Sequence, residues 1–152
     1  MTTFDQAAFS HSGAGSEALA FGRHIIRITA DQTGGSLGCF ESEVPAGDGP
    51  PPHVHEKEEE FFRVLEGHFA FWCNDARVEL TAGGVICVPR GSVHRFQNIG
   101  TTMGRLMVVM TPGGFEGFFP AVASEPEASM ERICQIGEQF NLRFVFDAAE
   151  AA

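Results

Sequence analysis

His53 and His55 flank a single valine, and Glu60 follows within the stretch Gly47-DGPPP-His53-Val-His55-EKEE-Glu60-FFRVLE-Gly67. On an extended strand residues i and i+2 face the same side, so both imidazoles can reach one point. Glu60 opens the next run of strand-forming residues, and a tight turn brings its carboxylate back toward them. Two imidazoles and a carboxylate aimed into an apolar interior are costly to desolvate without a partner. A divalent first-row metal is the usual partner for such a set. In a second stretch, Gly83-GVICV-Pro89-Arg-Gly91-SV-His94-RFQ-Asn98, a Pro-x-Gly turn precedes His94, which makes it a candidate third imidazole.

The elements that must hold these groups read as short strands. His24 to Ala30, Leu37 to Val44, Glu60 to Leu65, His68 to Cys73, Arg77 to Leu80, Val85 to Val88, Arg95 to Asn98 and Arg105 to Thr111 are punctuated by Gly, Asn and Pro. Strands at that spacing predict an all-β sandwich or barrel. After Pro112 the pattern changes: Gly114 to Ala123 and Pro126 to Phe140 read as helix, with Pro126 suited to a first helical position. These helices are expected outside the barrel, within a helical segment of about 114–140, and Leu142 to Phe146 as a last strand. Residues 1–20 are small and polar and read as a flexible arm before a single domain over 21–152.

Alternation also assigns a lining. Phe62 and Val64 share a face with Glu60, Phe96 shares one with His94, and Phe69, Phe71 and Cys73 form the apolar side of their strand. Phe62, Phe69, Phe71 and Phe96 are therefore the candidate substrate-pocket residues. By the same alternation Arg63 points outward. Glu58 and Glu59 read as a solvated charge run, and His11, His24 and His68 as surface or structurally satisfied histidines.

Composition narrows the partners. Ten Lys and Arg stand against twenty Asp and Glu, a net charge of −10, with no basic cluster to offset it. Nucleic acid and anionic membrane are poor partners for such a surface. No apolar run approaches a bilayer span and no secretory leader is apparent, so a cytoplasmic location is expected. The four cysteines are scattered, with no CxxC pair, and read as small buried hydrophobes. Tyrosine is absent, which removes one catalytic acid, whereas phenylalanine occurs fifteen times.

The two stretches resemble the two motifs of the cupin superfamily, G(X)5HXH(X)3,4E(X)6G and G(X)5PXG(X)2H(X)3N. Gly47, His53, His55, Glu60 and Gly67 occupy every fixed position of the first; Gly83, Pro89, Gly91, His94 and Asn98 occupy those of the second. Glu59 also satisfies the shorter spacing from His55, but only Glu60 sits correctly before Gly67. The wider sequence is similar to small bacterial monocupins related to quercetinases, over roughly residues 35–145. The resemblance implies an antiparallel cupin β-barrel, the double-stranded β-helix or jelly roll. It also implies one iron, manganese, nickel, cobalt, copper or zinc ion on His53, His55, Glu60 and His94. Asn98 reads as a turn brace rather than a substrate contact. Its most concrete function is a quercetinase-like dioxygenase acting on a small aromatic or apolar molecule, with Glu60 as catalytic base. An isomerase, cyclase or lyase on the same metal, or a ligand sensor, are the alternatives. Arg63 departs from the tyrosine that quercetinase-like relatives often carry there. A homodimer is implied too, paired through an outer sheet face or an exchanged N-terminal strand.

Overall fold

The computed structural model describes residues 3–146. Eleven strands form two antiparallel sheets: β1 (Ser16–Leu19), β2 (Arg23–Ile28), β3 (Gly38–Val44), β4 (His53–His55), β5 (Glu59–Glu66), β6 (His68–Cys73), β7 (Ala76–Thr81), β8 (Val85–Val88), β9 (His94–Asn98), β10 (Gly104–Thr111) and β11 (Leu142–Phe144). One sheet has the order β1-β2-β3-β10-β5-β8 and the other β11-β4-β9-β6-β7. This is the expected jelly-roll arrangement, with the core between the two layers.

Period-2 patterning sets the inward face. Along β3, Gly38, Phe40, Ser42 and Val44 are buried, and along β10, Gly104, Leu106, Val108 and Met110 are buried. Their neighbours face out: Arg105 bridges Glu41 on β3 and Glu66 on β5. Arg63 is exposed, as alternation predicts. Gly67 turns β5 into β6 at φ 100°, a left-handed backbone that a side chain would strain. All four cysteines are free, but none is fully buried as expected: Cys39, Cys73 and Cys134 are half-buried, and Cys87 is exposed because the edge strand β8 turns it outward.

Two ends of the chain differ from the sequence expectation. Ser16–Leu19 of the expected arm is a strand, paired to the open edge of β2 from Ser16↔Ile26 to Leu19↔Arg23. Ahead of it, the Arg27 guanidinium donates to the Ser10 hydroxyl and to the Ser10 and His11 carbonyls. A four-residue strand carries too little alternation to stand out in a polar segment; the edge it completes supplies the order. At the other end, a 3₁₀ turn (Phe115–Gly117) leads into α1 (Phe118–Ala123). The next helix, α2 (Met130–Gln139), starts four residues beyond Pro126. Ser129 sets that start: its hydroxyl accepts from the Arg132 N–H at 3.1 Å and caps the first turn. The last strand is shorter than expected and pairs with β4, Leu142 opposite His55 and Phe144 opposite His53. No helix among the described residues is long and apolar enough to cross a membrane.

Candidate metal centre

The pairing of β4 with β9 sets His53 directly opposite His94, and His55 follows on the same strand. Glu60 comes from the other sheet, between Met110 on β10 and Val88 on β8. One ligand atom from each of His53, His55, Glu60 and His94 lies within 4.8 Å of the other three. All four side chains are buried. Glu60 Oε1 stands 2.9 Å from His94 Nε2 and 3.3 Å from His55 Nε2.

The backbone selects the tautomers. His53 Nδ1 lies 2.9 Å from the Pro51 carbonyl and His94 Nδ1 2.9 Å from the Ser92 carbonyl. A carbonyl only accepts, so each Nδ1 carries the proton, and each Nε2 presents a lone pair in the neutral ring. A neutral His94 would thus face the Glu60 carboxylate lone pair to lone pair. A cation between them removes the conflict, whether a proton or a metal ion. His55 Nδ1 has no hydrogen-bond partner, and its ring is held edge-on to Phe115 at 4.5 Å. The donor set fits a divalent first-row ion: three neutral imidazoles, one carboxylate and no thiolate.

The electrostatics agree. Burial pushes the Glu60 carboxyl upward, but His55 and His94 beside it outweigh this and hold it well below the usual carboxylate range. Burial pulls His94 downward, and the Glu60 carboxylate overcomes that and raises it. His53 is pushed down to about 3 by burial, with the neighbouring imidazoles adding to the effect. At neutral pH it is an uncharged donor.

The remaining acidic residues separate cleanly. Glu59 faces out and takes a two-pronged contact from Arg90 at 2.7 and 3.2 Å. Glu58, expected in solvent, is buried, and its Oε2 has no hydrogen-bond partner. It continues the inward row Glu58, Glu60, Phe62, Val64 one step beyond the strand, which extending the alternation backward would have shown. Burial pushes its carboxyl upward. Asn98 donates from Nδ2 to the Val44 and Thr102 carbonyls and accepts from the Gly100 N–H, so it braces a turn.

A cavity of about 350 Å³ opens beside three of the four side chains, His53, His55 and Glu60. Phe62 and Phe96 line it as expected, whereas Phe69 and Phe71 are not on its wall. They belong to the packed core behind, where Phe69 closes on Gly104 so tightly that an added Cβ would come within 2.5 Å of the ring. Strand alternation does not single out Phe21, Phe40, Phe115, Phe118, Phe119 and Phe144, which complete the aromatic wall, nor His24 with Ser42. The Phe115-to-Phe119 segment was read as helix on the outside; its ring-rich composition was the available signal.

The profile of the cupin domain family matches residues 40–110, a span that contains all four ligand candidates. The chain carries a cupin domain. It is 32% identical over 144 residues to quercetin 2,3-dioxygenase of Bacillus subtilis, covering 87% of this chain but only 42% of that enzyme. This cupin therefore spans less than half the length of that relative. Among solved structures, a Thermotoga maritima protein described as a predicted oxalate decarboxylase superposes with a TM-score of 0.62 at 20% identity, over 70% of this chain and 99% of the other. An RmlC-like cupin from Shewanella frigidimarina gives 0.61 at 20% identity, over 71% and 93%. At that identity the two structures speak for the fold alone.

Proposed function

We propose that this cupin holds one divalent first-row metal ion on His53, His55, Glu60 and His94 and oxygenates a small aromatic molecule, in the manner of a quercetin dioxygenase. The cluster of three imidazoles and a carboxylate, three of whose members (His53, His55 and Glu60) stand on the wall of a phenylalanine-lined cavity, carries the reading. The similarity to the Bacillus enzyme favours oxygenation over other metal-cupin chemistries. When bound, such an ion supplies Lewis acidity and open coordination positions facing the cavity.

The chain's own residues do the rest. His53 and His94 keep their Nδ1 protons on backbone carbonyls, so their Nε2 lone pairs stay aimed at one point without reorganisation. Glu60 is ionised at neutral pH and stands at the cavity wall. It is therefore in the unprotonated form that accepting the proton of a substrate enol or phenol hydroxyl requires. The aromatic wall holds a flat ring by its faces and excludes water from the reacting atoms. The deciding experiment is oxygen uptake with a panel of flavonols and diketones, on protein reconstituted with each metal separately. Substrate loss matched one-to-one by oxygen consumption is expected. Conversion that proceeds equally well without oxygen would replace this reading with an isomerase or lyase.

A further inference from the structure

At the other end of the cavity the wall carries a polar pair that the metal chemistry does not use. His24 on β2 and Ser42 on β3 are cross-strand partners, and both side chains are buried. His24 Nδ1 lies 2.7 Å from Ser42 Oγ, and His24 Nε2 lies 2.8 Å from the Ala20 carbonyl. The ring stacks on Phe119 at 3.8 Å and meets Phe40 edge-on at 6.4 Å. Its orientation is therefore fixed on three sides.

The tautomer follows from the partners. A carbonyl can only accept, so His24 Nε2 carries the hydrogen and Nδ1 is bare. The Ser42 hydroxyl must then donate to Nδ1. Burial holds the imidazole neutral, pushed down to about 4. With its one hydrogen committed, Ser42 Oγ offers only lone pairs to the cavity. It is an acceptor awaiting a donor.

The sheet register gives the distance from the metal end. Ser42 pairs with Leu106, and Leu106 with Val64, four residues along β5 from Glu60. Four residues of strand measure roughly 13 Å, and the two strand-to-strand steps add a sideways offset of roughly 10 Å. A molecule that reaches both ends is longer than one aromatic ring. Besides Glu60, the lining carboxylates are Glu43, which is paired with Arg23 at 2.8 Å, and the exposed Asp48. The far-end donor should therefore be a neutral hydroxyl rather than an ammonium group, which would be buried without a free counter-ion.

We propose that Ser42, with its hydrogen held by His24, is a hydroxyl-recognising subsite, and that the ligand of this cavity is an extended aromatic with a metal-binding oxygen at one end and a phenolic hydroxyl at the other. The far-end assignment stands on the His24–Ser42 geometry alone; the metal-binding end rests on the function proposed above.

Two experiments on the full chain separate these parts. In the first, phenol and toluene are titrated into metal-free protein and followed by NMR of the histidine ring nitrogens. Phenol, and not toluene, should shift the His24 resonances. Ser42→Ala should weaken phenol about tenfold, the scale of one hydrogen bond, and leave toluene unchanged within about twofold. Ser42→Thr keeps the acceptor oxygen and should restore phenol binding. Absence of phenol binding, equal losses for both probes, or an unchanged phenol affinity in Ser42→Ala would overturn the subsite. Should Ser42→Ala fail to fold, a wild-type His24 that responds equally to both probes does the same. In the second experiment, metal-loaded protein is given 3-hydroxyflavone with and without a 4′-hydroxyl. Tighter binding of the 4′-hydroxylated compound, lost in Ser42→Ala, supports the two-ended ligand. Failure of both flavones to bind sinks the metal-end reading and the two-ended ligand, while the phenol contrast still decides the Ser42 assignment.

Discussion

Acid should destabilise this protein through His24, and the amount follows from its surroundings. The imidazole is buried, with both nitrogens engaged by Ser42 and Ala20. Its pKa is pushed from 6.5 down to about 4, chiefly by burial. An unfolded chain takes up the proton near pH 6.5, while the native ring refuses it until about pH 4. The neutral-ring contribution is complete above pH 6.5 and is lost as the pH falls from there through about 4. A shift of that size corresponds to roughly 3 kcal/mol, at about 1.4 kcal/mol per unit. The assay is urea unfolding of metal-free protein at a series of pH values from 7.5 to 4, for wild type and His24→Gln. Glutamine can donate to the Ala20 carbonyl and accept from Ser42, and it does not titrate. The wild type should lose about 3 kcal/mol more than the variant across that interval. The comparison cancels the carboxylates and His53, which titrate in both proteins. Parallel stability curves would show that His24 is already charged or solvated, and would remove the hydrogen-bond direction on which the Ser42 acceptor depends.

Replacing His53, His55 or His94 with Ala should abolish metal retention, measured by mass spectrometry of metal content; full occupancy in His94→Ala would refute the ligand set. Glu60→Gln should keep metal and lose turnover, while Glu59→Gln, whose carboxylate faces Arg90 outside, should change neither. Phe69→Ala should cost about 3–5 kcal/mol in a denaturant melt as a core truncation, whereas Phe96→Leu should alter ligand affinity with a smaller stability loss. Gly38→Ala should lower the melting temperature, because its Cβ would collide with the Glu116 carboxylate that accepts from the Ala30 and Gly114 N–H groups at 2.8 Å each. The homodimer expected from the cupin resemblance would give a sedimentation mass near twice 16.4 kDa, and a monomer at all micromolar concentrations would exclude it.

The ligand candidates were legible because a strand converts spacing into direction: His53 and His55 share a face, and the Pro-x-Gly turn delivers His94 beside them. Fixed offsets over ten positions left little to tertiary structure. Glu58 was misread for the opposite reason. Inside EKEEE the charge pattern suggests solvent, and only the inward row set by Phe62 and Val64 reveals that Glu58 points in. His24 and Ser42 lie on separate strands with no motif between them. Only the β2–β3 register, which sets them opposite one another, makes them a pair. The start of α2 was a contest between two local signals, Pro126 and Ser129, and the serine won because its hydroxyl satisfies a backbone donor that proline cannot. The rings of Phe115, Phe118 and Phe119 reached the cavity through packing that no local pattern encodes.

The division of the four ligand candidates between the two sheets bears on which of them can do more than hold an ion. The imidazoles all stand on the five-stranded sheet. There His53 and His94 are pinned by carbonyls, and β11 backs the β4 strand that carries His53 and His55. Glu60 stands alone on the six-stranded sheet, in contact with His55 and His94. A braced imidazole keeps its geometry but has no spare freedom. A carboxylate without a backbone brace would be freer than the imidazoles to turn one oxygen toward a bound hydroxyl. Glu60 also shares a strand face with Phe62, so the same β5 row that delivers the base delivers part of the wall against which a ring would lie. Following that sheet across β10 to β3 leads to Ser42. The six-stranded sheet thus carries both groups proposed for substrate hydroxyls, the base at one end and the acceptor at the other, while the five-stranded sheet carries the three imidazoles that would hold an ion with Glu60.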